Sequence, residues 1–198
     1  MDMLNKLIQQ AKRPDGKIGS LMLKIMNSAH IQLNKWAFEK VKITERATIL
    51  DAGCGGGKTI RLLSQLNTEG KIFGIDYSQQ AVQSSYRSNK LDVAAGKVNI
   101  QQASIYDLPF SENTFDLVTA FQTHYFWDHL EDGVKEIFRV LKKQGCFLVA
   151  AEIYKINYHM RDYKTKVDLE QLFHKVGFKK VNLYVHSNNK WICIKGIK

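Results

Sequence analysis

The sequence predicts an α/β protein whose sheet is doubly wound, mostly parallel and closed by an antiparallel hairpin. From Thr48 onward, short apolar runs alternate with stretches in which apolar residues recur at helical spacing. Strands separated by helices pair in parallel, because a crossover helix returns the chain to the same edge of the sheet. Only residues 186–190 separate the last two apolar runs, and a connection this short joins antiparallel strands.

Each element can be placed along the chain. Strands are indicated by apolar runs rich in β-branched and aromatic residues, and helices by the amphipathic stretches between them. Seven strands are predicted, at 48–51, 71–76, 98–102, 115–121, 146–153, 179–185 and 191–195. The helices between them are predicted at 58–66, 79–90, 130–141 and 168–176.

The residues before the first strand, 1–47, have a helical pattern. Pro14-Asp15-Gly16 separates a short leading helix from a longer amphipathic stretch. The apolar residues of that stretch recur with a period of about 3.6: Ile18, Leu21, Met22, Ile25, Ile31, Leu33, Trp36 and Phe38. Because the sequence has no recognisable linker or repeat, we predict a single domain over 1–198, with N-terminal helices at 1–47 and a core at 48–198.

The composition is that of an ordinary soluble domain, with 198 residues of which 44% are hydrophobic and 24% charged. The sequence contains no run of about 18 apolar residues and no signal-peptide core at its start. We therefore expect a cytoplasmic protein without membrane insertion. Cys54, Cys146 and Cys193 are widely spaced, so we expect reduced thiols and no metal site.

The chain is basic, with a formal net charge of +10. Such a charge raises the possibility of an anionic partner: a nucleic acid, a phosphorylated metabolite or a membrane surface. The basic residues are scattered, however, and the densest groups, such as Lys142-Lys143 and Lys179-Lys180, are short. This distribution favours a solvated basic surface, and no specific nucleic-acid partner is expected.

A glycine-rich loop follows the first strand, over Asp51-Ala52-Gly53-Cys54-Gly55-Gly56-Gly57-Lys58-Thr59. A dinucleotide fingerprint GxGxxG that starts at Gly53 would need glycine where Lys58 stands. A phosphate-binding P-loop, GxxxxGK[ST], would need glycine where Ala52 stands. The pattern [DE]xGxGxG, in contrast, fits at every defined position.

With this pattern the chain resembles the class I S-adenosylmethionine-dependent methyltransferases, over about residues 48–195. The segments LeuProPhe at 108–110 and PheAspLeuVal at 115–118 resemble the small-molecule branch of that family. The resemblance implies a Rossmann-like sheet of seven strands in the order 3-2-1-4-5-7-6. It also implies S-adenosylmethionine as cofactor and an N-terminal helical lid over the site.

The expected cofactor contacts follow from the loop and the strand ends. Asp76 closes the second strand, where a carboxylate can accept hydrogen bonds from ribose hydroxyls. In the family, the residue after this acid commonly packs on adenine, and many relatives carry an acid at the position of Ser104. The complete set of expected cofactor contacts is Asp51, Ala52, Gly53, Cys54, Gly55, Asp76, Tyr77, Ser104, Ile105 and Phe121.

The methyl acceptor is expected beyond the fourth strand, where residues 121–129 are rich in aromatic side chains. His124 is the candidate general base, and Tyr125 and Trp127 are candidate pocket walls. His30 and Trp36, together with Met26 and Ser28, are candidate lid residues. AsnProProTyr, the signature of enzymes that methylate adenine or glutamine amides, does not occur in this segment.

The sequence therefore predicts methyl transfer to a small-molecule acceptor by direct displacement, in which the protein mainly aligns the reactants and excludes water. Two alternatives stay open. One is an RNA methyltransferase, which the basic charge favours. The other is a protein that binds S-adenosylmethionine without catalysing a reaction.

Overall fold

The computed structural model describes residues 15, 16, 19 and 30–198. Most of the predicted N-terminal helical segment, including Met26 and Ser28, lies outside the described residues. Within them, helix α1 covers Ile31–Phe38. Its buried residues recur every three or four positions, as expected for a helix with one face on the core: Leu33, Asn34, Ala37 and Phe38.

The strands and helices predicted after α1 are all present, and the structure adds helices at Lys90–Ala94 and Ile153–His159. The strands are β1 (Thr48–Ala52), β2 (Lys71–Asp76), β3 (Val98–Gln102), β4 (Phe115–Phe121), β5 (Leu141–Glu152), β6 (Lys180–Val185) and β7 (Trp191–Ile197). The helices between them are α2 (Lys58–Leu66), α3 (Gln79–Ser88), α4 (Lys90–Ala94), α5 (Leu130–Val140), α6 (Ile153–His159) and α7 (Lys166–Val176), with a short 3₁₀ turn at His124–Phe126.

The strands form one seven-stranded sheet in the order β3-β2-β1-β4-β5-β7-β6, which confirms the predicted fold. β1 pairs in parallel with both β2 and β4, so the strand order reverses at β1. β7 runs antiparallel to β5 and to β6. In open sheets of this kind, ligands bind beyond the carboxyl ends of the strands at the reversal point.

The sheet is covered on both faces, and β5 shows how its residues divide between them. Phe147 belongs to a hydrophobic cluster that includes Ile137 of α5, and the next residue, Leu148, belongs to a second cluster that includes Leu63 of α2. Successive side chains of a strand point to opposite faces. The apolar run of β5 is therefore that of a strand buried on both sides.

Several predicted boundaries differ from the structure, and the two largest differences at the start of an element have identifiable reasons. α7 begins at Lys166 and not at Asp168, because Thr165 is its N-cap and Asp168 completes a capping box with it. β5 begins at Leu141 and not at 146, because Leu141 pairs with Phe115 across an irregularity before Cys146 pairs with Leu117. β5 also ends at Glu152, where α6 begins without a loop.

Of the described residues, none forms a helix long and apolar enough to cross a bilayer. All three cysteines are buried free thiols.

Candidate functional site at the carboxyl edge of the sheet

The glycine loop, residues 53–57, connects β1 to α2 and turns against the end of β2. The amides of Gly53 and Cys54 both donate to the Ile75 carbonyl, at 2.9 and 2.8 Å. The Gly55 amide donates to Oδ2 of Asp76 at 2.9 Å. Phosphate-binding loops direct such amides at the ligand, whereas these three donate within the protein, two to the Ile75 carbonyl and one to the Asp76 carboxylate. The hydrogen bonds thus agree with the exclusion of a P-loop and a dinucleotide loop.

Two glycines of the loop adopt a left-handed backbone and are closely surrounded. Gly53 has φ of 79°, and a Cβ there would lie 2.4 Å from Oγ1 of Thr123. Gly57 has φ of 82°, and a Cβ there would lie 2.8 Å from the Cα of Ser85. Glycine is required at both positions. The close approach of Gly53 to Thr123 brings the loop against the segment that follows β4.

Asp76 ends β2 with its carboxylate held by the backbone. Oδ2 accepts from the Gly55 amide and Oδ1 from the Ser78 amide, both at 2.9 Å. Burial raises the pKa of Asp76, and backbone hydrogen bonds from Ser78, Gly55 and Tyr77 oppose that shift. Because each carboxylate oxygen has two lone-pair positions, the oriented group keeps acceptor capacity for the hydroxyl groups of a ligand such as a ribose.

Asp51 lies at the end of β1 and is buried. Its Oδ1 accepts from the Thr119 hydroxyl at 2.7 Å, while Oδ2 has no hydrogen-bond partner among the described residues. Burial raises the pKa of Asp51 to about 7; the Thr119 hydrogen bond opposes the shift and the charge of Asp76 adds to it. A buried acceptor without a partner costs about 1–3 kcal/mol. The site therefore favours a ligand that brings hydrogen-bond donors or positive charge.

The residues predicted to contact adenine follow β2 and β3. Tyr77 is 59% exposed, and its carbonyl accepts from Nε2 of Gln102 at 2.9 Å. Ser104 closes a turn with Asp107, whose amide donates to the Ser104 carbonyl at 3.3 Å. This supports a turn role for Asp107. The contacts of Tyr77, Ser104 and Ile105 with adenine stay predictions.

Trp127, a predicted wall of the acceptor pocket, lies against α5. A Cβ at Gly133 of α5 would be 2.8 Å from Cε3 of Trp127 and 3.4 Å from Cγ1 of Ile105. Trp127 therefore packs on α5 beside Ile105. Its contact with an acceptor stays a prediction.

The chain bends sharply where β4 ends. The Phe121 ring packs against Phe38 of α1, with 5.2 Å between ring centroids, so a cofactor contact from Phe121 would have to come from its backbone. Gln122 is buried with φ of 57°, a conformation that is strained for a residue with a side chain and that recurs at functional sites. Its Oε1 accepts from the Tyr125 hydroxyl at 3.1 Å.

His124, the candidate base, is only 2% exposed. Neither ring nitrogen has a hydrogen-bond partner among the described residues, and the ring packs edge-on against Tyr125. Burial lowers the pKa of His124 to about 4, so the imidazole is neutral at physiological pH. Two buried, unpartnered ring nitrogens are rare in folded proteins. In the neutral imidazole one of them could accept a hydrogen bond or a proton from a ligand, and the other could donate a hydrogen bond.

Sequence reasoning missed a polar cluster at the carboxyl ends of β4 and β5, which we call the Glu152 cluster: Gln122, Glu152, Lys155 and His30. Oε2 of Glu152 accepts from Nζ of Lys155 at 2.8 Å and from Nε2 of Gln122 at 3.1 Å. Nζ of Lys155 is also 2.9 Å from Nε2 of His30. Burial, and then Lys155, lowers the pKa of His30 to about 4, so His30 is the acceptor in that contact. The sequence signal that could have revealed this cluster is Glu152, an acid at the end of β5, just as Asp76 is an acid at the end of β2.

Trp36 lies beside this cluster. Its ring contacts His186, at 5.3 Å between centroids, and Trp191, at 6.1 Å. Trp191 is paired with Glu152 in the β5–β7 register, which puts the two side chains on the same face of the sheet. The structure thus brings His30 and Trp36, two of the predicted lid residues, to the carboxyl edge of β5.

We expect Cys54→Ala to leave the affinity for the predicted cofactor within about twofold. Burial raises the pKa of the Cys54 thiol well above its usual range, and an inert thiol is not a nucleophile. Calorimetry checks the affinity, and Cys146→Ala, which removes another buried thiol from β5, is the matched control. A selective loss of binding for Cys54→Ala would show that the thiol itself contacts the ligand.

Comparison with protein families identifies one match over half of the chain: a family described as a methyltransferase domain matches residues 50–149. Two curated relatives are each similar to more than half of this chain. The ubiquinone/menaquinone biosynthesis C-methyltransferase UbiE of Geotalea daltonii is 31% identical over 117 residues, which are 58% of this chain and 49% of that protein. The demethylmenaquinone methyltransferase of Lactiplantibacillus plantarum is 32% identical over 125 residues, 62% of this chain and 52% of that protein.

The chain spans about half the length of these two relatives. Among solved structures, a SAM dependent methyltransferase from Aquifex aeolicus superposes with a TM-score of 0.73. The superposition covers 88% of this chain and 96% of that one at 16% sequence identity. At this level of identity the similarity establishes the fold.

Proposed function

The chain belongs to the family of class I S-adenosylmethionine-dependent methyltransferases, and on that premise we propose that it transfers the methyl group of S-adenosylmethionine to a small molecule. The observation that carries the proposal is the pair of acids at the reversal point of the sheet. Asp51 and Asp76 both have raised pKa values because they are buried. A ligand with a ribose diol and positively charged groups would supply hydrogen-bond donors and positive charge to both carboxyl groups.

The fit to S-adenosylmethionine, the cofactor of this family, rests on atoms that need a partner. Asp76 would hold the ribose hydroxyls with its oriented carboxylate. The unpartnered Oδ2 of Asp51 would accept a hydrogen bond from the positively charged methionyl part. Gly53 and Gly55, which lack side chains, let the ligand approach the loop closely. When bound, S-adenosylmethionine supplies an electrophilic methyl group.

The acceptor would bind between His124 and the Glu152 cluster. His124 follows Thr123, which touches the glycine loop, and Glu152 ends the adjacent strand β5. We assign His124 the role of base for an acceptor that must lose a proton, because its imidazole is neutral and has no competing hydrogen bond among the described residues. Alignment and exclusion of water supply the rest of the acceleration.

The acceptor end suits a small aromatic ring that carries oxygen substituents. Tyr125 stacks on His159 at 5.3 Å and lies against Phe126 at 4.6 Å, so aromatic surface adjoins the donors of Gln122 and Lys155. The two relatives named above include a C-methyltransferase of ubiquinone/menaquinone biosynthesis and a demethylmenaquinone methyltransferase. Hydroxylated quinone precursors are therefore the first acceptors to test.

Incubation with methyl-labelled S-adenosylmethionine and extracted metabolites, including quinols, tests this function. We expect label in solvent-extractable small molecules and an equal amount of S-adenosylhomocysteine. Asp76→Ala serves as the negative control, because it removes the proposed ribose contact. S-Adenosylmethionine and S-adenosylhomocysteine should bind in calorimetry, whereas NAD and ATP should not. Tight competitive binding of NAD or ATP would contradict the assignment of the site.

RNA binding is expected to be weak and non-specific despite the charge of +10. Contacts with several phosphates release counterions, so such binding should largely disappear between about 50 and 200 mM salt. Turnover of a small acceptor should change little over the same range. Sequence-selective RNA binding at the higher salt, together with methyl label in RNA, would favour an RNA methyltransferase instead.

A further inference from the structure

The surface formed by residues 154–167 combines exposed aromatic and apolar side chains. Tyr154 and Tyr158 are 63% and 62% exposed, and Val167 is 59% exposed. The two tyrosines are four positions apart on α6, so they lie on one face of that helix. Ile156, on another face, is buried in the core. The tyrosines are thus presented to solvent by a helix that is anchored through its opposite side.

The same surface is basic. Arg161, Lys164 and Lys166 are exposed between the tyrosines and Val167, and Asp162 is the only exposed acid of this segment. Arg161 follows Tyr158 by three residues, which bounds their Cα separation at about 11 Å. Arg161 and Lys164 also line a common groove. Aromatic rings and positive charge are therefore close neighbours here.

The position of the surface relates it to the proposed acceptor site. α6 begins directly after Glu152 and packs on β5 and on the 3₁₀ turn that contains His124. The 154–167 surface thus begins at the carboxyl edge of the sheet, beside the proposed acceptor site.

We propose that the 154–167 surface docks on the head-group layer of an anionic bilayer. Tyrosine suits such an interface because one end of its ring is apolar and the other is polar. Lysine and arginine are attracted by anionic head groups. Val167 favours a lipid partner over RNA, since an aliphatic side chain neither stacks on a base nor binds a phosphate. The contact is peripheral, with the side chains reaching the interface and the helix remaining outside the hydrocarbon core.

Flotation of the full chain with vesicles tests this docking without any need for turnover. We expect binding to vesicles of phosphatidylcholine with phosphatidylglycerol, and at least tenfold weaker binding to phosphatidylcholine alone. The triple variant Arg161→Gln, Lys164→Gln and Lys166→Gln should weaken binding to the mixed vesicles about tenfold or more. Tyr154→Ser with Tyr158→Ser should weaken it about fivefold through lost apolar contact. Salt raised from about 100 mM to about 1 M should reduce binding of the parent chain, because the Debye length falls from about 10 to about 3 Å.

The matched control is a similar set of exposed side chains on α3 and α4, which lie beside β3 and far from β5: Tyr86, Arg87 and Lys90. Replacing these by Ser, Gln and Gln should leave vesicle binding unchanged. Retained cofactor affinity shows that each variant is folded, and the charge and tyrosine variants test the surface independently. The proposal is overturned if binding ignores lipid charge, or if both variant sets bind like the parent. It is also overturned if the tyrosine variant changes the oligomeric state or RNA binding and leaves vesicle binding intact.

Discussion

Asp76→Ala is expected to weaken the binding of S-adenosylmethionine at least about tenfold. The substitution removes up to two hydrogen bonds from ribose hydroxyls to a charged acceptor, each contributing about 1.5–3 kcal/mol before solvent compensation. It also releases the Gly55 and Ser78 amides that now hold the carboxylate, so the loop loses part of its orientation. Isothermal calorimetry measures the change.

Asp116→Ala is the matched control for this prediction. Asp116 also accepts a backbone amide, that of Thr48 at 2.8 Å, but it lies near the start of β4, at the opposite edge of the sheet. Its loss should leave the cofactor affinity unchanged. An unchanged affinity for Asp76→Ala as well would place the ribose elsewhere.

His124 is expected to make the free energy of unfolding depend on pH. In the unfolded chain its pKa has the ordinary value of 6.5, and burial lowers the folded value to about 4. Between these values the unfolded state binds more protons, so the stability is full above pH 6.5 and is lost as the pH falls toward 4. This pKa shift corresponds to a change of about 3 kcal/mol in the free energy of unfolding.

Urea unfolding of the parent chain and of His124→Gln, which does not titrate, measures this contribution. The stability of the variant relative to the parent should rise by about 3 kcal/mol between pH 6.5 and about 4, and it should be constant above pH 6.5. A constant difference throughout would mean that His124 is solvated or partnered in the folded state. If His124 is also the proposed base, the variant should lose kcat on a protonated acceptor while KM changes little.

A comparison of variants is needed because another buried group acts in the opposite direction. Burial raises the pKa of Asp51 from 3.8 to about 7, so the fold favours its protonated form. That contribution is full below pH 3.8 and is lost as the pH rises through about 7. His30 acts in the same direction as His124. The pH profile of the parent chain alone is therefore a sum of opposing terms.

The architecture around β1 and β2 was predictable because the strand, the glycines and Asp76 each have a local signature, and α2 and β2 have the predicted boundaries. The cofactor contacts of these residues stay predictions. The strand order came from the family resemblance, since periodicity cannot order strands. The local sequence signals therefore lie mostly in the glycine loop after β1 and in Asp76 at the end of β2.

The Glu152 cluster was not predicted, because its contacts join distant segments. His30 and Lys155 are 125 positions apart, and nothing in the local pattern of either residue indicates the contact. The packing of Trp127 on α5 depends on the absence of a side chain at Gly133. The start of β5 was missed because a register irregularity interrupts the apolar run.

The antiparallel position of β7 has a consequence for how the chain folds during synthesis. Among the strands that the structure describes, β6 is hydrogen-bonded only to β7, and β7 is made after it. Until Trp191–Ile197 has left the ribosome, β5 therefore exposes an unpaired edge and β6 has no strand to join. Unpaired edges of this kind are sites of misassembly. Insertion of β7 between β5 and β6 should be the step that closes the sheet, and ribosome-bound chains that end before Trp191 should show little protection from hydrogen exchange in β6.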